Sequence, residues 1–178
     1  MPMGAAPFLG GWTLMMAAMM VPSSAPLVLV HPKAGRTLLV TGYLAAWALI
    51  GLPVLALARV VDLMDVPGAA VAGVLATAGV YQLTPLKNAC LRQCRSPLDF
   101  LAQRFGRSPF QLGVEHGAYC VGCCWALMAV LVVAGAMALA WAAAIALAVF
   151  VEKVVPHGDI AGRLGGAALL AASALVLV

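Results

Sequence analysis

The stretch GAYCVGCCWALMAVLVVAGAMALAWAAAIALAVFV, Gly117–Val151, carries no charged residue. About 20 apolar residues cross a bilayer as an α-helix, so this run is too long for one crossing. It is rich in Ala and Leu and lacks the alternation of a barrel strand. It therefore reads as two membrane helices joined by a tight hairpin near Ala134-Gly135-Ala136.

The mouth of the run holds the most chemistry. Gly113-Val-Glu-His-Gly-Ala-Tyr-Cys-Val-Gly-Cys-Cys-Trp125 contains three of the five cysteines and one of the three histidines. On a helix, His116 lies at about −40° from Cys120, Cys123 at about −60° and Cys124 at about +40°. Gly113 and Gly117 fall in the same arc and would let another helix approach closely. Glu115 points elsewhere. A second cysteine pair, Cys90 and Cys94, stands upstream at i, i+4 spacing.

The rest of the composition agrees with a membrane location. The chain has 178 residues, of which 65% are hydrophobic and 9% charged, with a mean hydropathy of +1.07. Soluble domains are about 45–50% apolar and about 25% charged. The expectation is one all-α domain over 1–178: a polytopic helix bundle of about six transmembrane helices plus a short amphipathic interfacial helix. The first residues lack a basic segment, and the first apolar stretch is long enough to span, so no cleavable leader is expected. No basic run with interleaved aromatics supports nucleic-acid binding.

Working outward, six spans are expected: 8–30, 37–58, 69–86, 109–133, 137–155 and 162–178. The first carries Met15-Met16-Ala-Ala-Met19-Met20-Val-Pro22, two methionine pairs one turn apart. Methionine fills core gaps, and its thioether is also a soft ligand, so Met15, Met16, Met19 and Met20 could form a path for Cu(I). Pro22 and Pro26 should kink this span. In the far loop of the second span stand Arg59, Asp62 and Asp65. The third span ends in Tyr81-Gln-Leu-Thr-Pro85, where Pro85 frees the Tyr81 carbonyl and Gln82, Thr84 or Asn88 could satisfy it.

Residues 87–108 read as the one substantial loop. Within it Ser96-Pro97-Leu-Asp99 has the pattern of N-cap, first-turn proline and first-turn acid. Leu98, Leu101 and Phe105 share a face and Gly106 can stop the helix, which suits a segment in the headgroup region. Gly162 and Gly166 open the last span at a helix-packing spacing.

Charge sets the sidedness. Lys33, Arg36, Lys87, Arg92, Arg95, Arg104, Arg107, Lys153 and Arg163 fall on one side of the six-span arrangement, and only Arg59 on the other. Basic loops stay in the cytoplasm. Both termini are then periplasmic in a bacterial inner membrane, and the cysteines lie at the cytoplasmic end. That compartment is reducing, so the thiols should not be paired structurally.

Thiols with an imidazole suit Cu(I) or Zn(II). The metal ligands expected are Cys90, Cys94, Cys120, Cys123 and Cys124, with His116 optional; Lys87, Arg92 and Arg95 would favour thiolates. Cysteine in an Ala-rich helix can equally be a small hydrophobe. Two other functions stay open: a non-catalytic accessory subunit of a larger membrane complex, and a thiol–disulfide oxidoreductase using CxxxC and CxxC. Nucleophilic catalysis has little support, because Glu115 and His116 are neighbours in sequence and diverge on a helix. Lys87, Glu115 and Glu152 read as helix-pairing groups or as supports for the ligands.

Four segments resemble a bacterial family of integral membrane proteins, DUF2182, described as predicted metal-binding. They are Trp12 with the Met15–Pro22 block, Tyr81–Pro97, Gly117–Met128, and Glu152-Lys153 with Pro156. The resemblance spans nearly the whole chain. It implies a metal-binding helix bundle, and some members are labelled copper chaperones. Expected partners are the lipid bilayer, a metallochaperone or larger membrane complex, and further copies of the chain.

Overall fold

A computed structural model describes residues 4–60, 66–134 and 139–177. Among them every regular element is helical: α1 (Ala5–Val30), a 3-10 turn at Lys33–Gly35, α2 (Arg36–Val60), α3 (Gly68–Gln82), α4 (Pro85–Arg95), α5 (Pro97–Ala102), α6 (Pro109–Val133), α7 (Leu139–Val154) and α8 (Gly158–Leu177). The chain is a helical bundle. Four stretches are long and apolar enough to cross a membrane: Ala5–Val30, Lys33–Val60, Pro109–Val133 and Gly158–Leu177. Helices α3 and α4 pass the same test only together, bent by 65° at their junction, which makes five. The expected span 137–155 corresponds to α7, described over 16 residues. Asp62, Asp65 and, apart from Ala134, the expected hairpin at 134–136 lie outside the described residues, as do Met137 and Val178 at the ends of the last two spans.

The segment 87–108 is more helical than expected. Pro85 ends α3 but then serves as the first residue of α4, a position where a missing N–H costs nothing. The Tyr81 carbonyl that it frees is taken by Thr84, from both its N–H (3.0 Å) and its hydroxyl (2.8 Å). The Thr84 hydroxyl also accepts from the Lys87 N–H at 3.3 Å, capping α4. In α5, Pro97 opens the helix as expected, while Ser96 makes no side-chain cap. Leu98 and Phe105 face outward, and the inward residue is Phe100.

Two compact units divide the chain: Met1–Val60 with Cys90–Gly122, and Val61–Ala89 with Cys123–Val178. In the first, Phe100 packs with Leu27, Leu39 and Leu112. The Trp12 indole donates to the Trp47 carbonyl at 3.0 Å, tying α1 to α2. Close helix approach depends on glycine. A Cβ on Gly42 would meet the Phe110 carbonyl, and one on Gly113 would meet the Leu39 carbonyl. A Cβ on Gly117 would lie 2.7 Å from that of Ala46. Helices α2 and α6 therefore touch backbone to backbone.

In the second unit, Gly79 and Gly166 make a similar crossing of α3 on α8. A Cβ on Gly166 would stand 3.0 Å from the Gly79 carbonyl, and one on Gly79 would stand 2.9 Å from the Gly166 carbonyl. The Ser173 hydroxyl donates to the Ala72 carbonyl at 2.9 Å across the same pair.

Candidate functional site

Helix α6 carries His116 and Cys120 one turn apart, so both face the same neighbours. Those neighbours include Tyr43 of α2, against both, and Phe100 of α5, against His116. Cys120 and His116 are buried, as are Met16, Met19 and Met20 of α1 and Tyr43 of α2; Met15 is half-buried. The glycines at 42, 113 and 117 place α2 close enough for its Tyr43 to reach Cys120. The Tyr43 hydroxyl lies 2.9 Å from the Cys120 sulfur, and either atom can donate. The same hydroxyl lies 3.4 Å from the Met20 carbonyl, to which it donates. The Ser23 and Ser24 hydroxyls donate to that carbonyl too, at 2.8 and 3.0 Å.

The His116 ring is held between aromatics. The Tyr43 ring is 5.9 Å away, tilted by 34°. The Phe100 ring is 5.2 Å away, edge-on at 78°. One methionine carbonyl, one phenol, one thiol and one imidazole thus share a single buried neighbourhood in the first unit. Sequence reasoning missed Tyr43, because a tyrosine in an apolar helix carries no spacing signal of its own. The neighbouring Gly42 was the available clue to close approach.

Cys90 approaches α6 from another direction. Its sulfur would stand 2.9 Å from a Cβ on Gly122. Gly122 points about 160° away from Cys120 around the helix. Cys90 and Cys120 therefore lie on opposite faces of α6. Cys90 is half-buried and Cys94 buried on α4, and Cys123 and Cys124 are buried in the second unit. Among the described residues, no group of three or more His, Cys, Asp or Glu side chains is gathered to hold one metal ion.

The two glutamates take different roles. Glu115 leaves the His116–Cys120 face, as helix geometry requires, and pairs with Arg104 at 2.6 Å and with Arg107. Arg104 also donates to the Tyr119 hydroxyl at 3.0 Å and covers the Phe100 ring at 4.2 Å. Glu152 sits inside the second unit. It accepts from Lys87 Nζ at 2.7 Å and from Gln82 Nε2 at 3.0 Å. Lys87 also donates to Gln82 Oε1, which closes a three-residue ring. A Cβ on Gly162 would press on both charges, at 3.2 Å from Nζ and 3.3 Å from Oε1. Gly162, expected with Gly166 to pack against another helix, leaves room for this ion pair.

As a donor set, thiols, thioethers and an imidazole fit a soft monovalent metal. Neither a curated protein nor a solved structure matches the chain. A family described as copper chaperone, PpoB2, matches residues 9–176. That match covers almost all of the helical bundle, and the chain belongs to this copper-chaperone family.

Proposed function

We propose that the chain binds Cu(I) in the bilayer and hands it on, with Zn(II) as the less suited alternative cargo. The observation that carries this reading is the buried neighbourhood of Cys120 and His116, where Tyr43 links the Cys120 sulfur to the backbone carbonyl of Met20 on the methionine helix. Soft donors select Cu(I) over harder cations. A Cu(I) ion is satisfied by two such donors, so it needs no cage of three.

Cys90, Cys94, Cys123 and Cys124 are further thiols along α4 and α6. With Cys90 and Cys120 on opposite faces of α6, they suit successive holding points better than one closed site. Met15, Met16, Met19 and Met20 form the thioether approach. The one-sided distribution of basic residues supports a cytoplasmic cysteine end, with both termini in the periplasm of a bacterial inner membrane. The DUF2182 resemblance rests on the same motifs and supports the same role.

The test is elemental analysis of detergent-purified protein after Cu(I) loading under reducing conditions. Wild type is compared with a Cys120→Ser/Cys123→Ser/Cys124→Ser variant. Copper at about one ion per chain or more, lost in the variant, is the expected result. No metal in either protein would overturn copper handling and leave an accessory subunit of a larger membrane complex.

A further inference from the structure

We propose that Tyr43 is the hydrogen-bond donor to the Cys120 sulfur when that sulfur carries Cu(I), and that it thereby sets how tightly the ion is held. This rests on Cys120 being a copper ligand.

The geometry gives the phenol two acceptors, the Cys120 sulfur at 2.9 Å and the Met20 carbonyl at 3.4 Å. A buried carbonyl left without a donor is costly. The Met20 carbonyl does not depend on Tyr43, because Ser23 and Ser24 both donate to it at shorter range. The phenol can therefore turn wholly to sulfur without orphaning the backbone. His116 packs beside it and limits where its ring can go, and Phe100 in turn packs against His116.

Copper binding fixes the direction of this bond. A neutral thiol can donate or accept, whereas a thiolate only accepts. When Cu(I) binds, the S–H bond of Cys120 breaks, a Cu–S bond forms and the proton leaves to water; no electron moves. In the Tyr43–Cys120 bond the phenol must then donate. A hydrogen bond to a charged acceptor is roughly twice as strong as a neutral one. The arrangement gains strength only in the loaded state, so it acts on copper affinity more than on folding.

The experiment compares wild type, Tyr43→Phe and Cys120→Ser by competition for Cu(I) with a chromophoric Cu(I) chelator. It adds the infrared S–H stretch of each metal-free protein. Tyr43→Phe should weaken Cu(I) binding about tenfold or more. The S–H band that Cys120→Ser removes should shift in Tyr43→Phe, a change that loss of packing alone would not produce. Should Tyr43→Phe fail to fold, a fluorotyrosine at position 43, a stronger donor, should tighten binding. Unchanged affinity in Tyr43→Phe, with binding lost in Cys120→Ser, would overturn this inference and leave the copper role standing. A wild type that takes no Cu(I) would overturn both.

Discussion

Lys87 and Glu152 form an ion pair of 2.7 Å with side chains only 1% and 5% exposed. Removing one partner leaves an uncompensated buried charge, which costs about 3–5 kcal/mol. Lys87→Met and Glu152→Leu should each lower stability by that amount in detergent unfolding. The double variant should lose less than either single one, because neither charge of the pair is left without the other. It still leaves Gln82 without both of its partners, worth about 1–3 kcal/mol. A double variant worse than both singles would mean that the pair stabilises the unit outright.

Glu115 provides the contrast. Its side chain is 27% exposed and is shared between Arg104, 11% exposed, and Arg107, 53% exposed, so water reaches the carboxylate and a second cation remains when one is lost. Glu115→Gln should cost about 1 kcal/mol or less. The same unfolding measurement, read beside Glu152→Leu, checks that the two acids differ in kind.

The backbone contact of α2 with α6 predicts a sharp glycine effect. At Gly113 a methyl group meets the Leu39 carbonyl, and backbone cannot move aside cheaply. Gly113→Ala should destabilise by about 1–3 kcal/mol, the usual cost of overpacking. At Gly73 nothing stands within 4 Å of a new Cβ. There Gly→Ala should gain about 0.5–1 kcal/mol from helix propensity alone. Thermal unfolding of the two variants side by side should show shifts of opposite sign.

Thr84 closes one helix and opens the next. Thr84→Val keeps the shape and removes the hydroxyl that both satisfies Tyr81 and caps α4. The expected loss is about 1 kcal/mol. Hydrogen exchange should rise first at the N–H of Lys87, where that hydroxyl is the acceptor. Unaltered exchange there would mean that the cap does not hold the helix start.

The helical bundle and its glycine contacts were legible because lipid-length apolar runs and small residues follow directly from backbone chemistry. Pro97 announced the start of α5, and the divergence of Glu115 from Cys120 followed from helix rotation alone. Residues 87–108 were harder. Charge density there resembled a loop, yet Thr84 and Pro85 supply a helix start that outweighs it. The inward turn of Phe100 was hidden as well. It depends on Leu27, Leu39 and Leu112, which are distant in sequence. The candidate site was legible as residue types on α6, since His116 and Cys120 are one turn apart. Its Tyr43 was not, because that contact is made by the register of α2 on α6.

That Cys90 of α4 and Cys120 of α6 lie on opposite faces of α6 has a practical meaning for genetics. Changes that touch no common neighbour tend to be additive in free energy. A substitution at Cys90 and one at Tyr43, on opposite sides of a helix about 10 Å wide, should therefore have stability effects that nearly add. One side of the helix can be rebuilt, labelled or inherited in altered form while the chemistry of the other is read out unchanged.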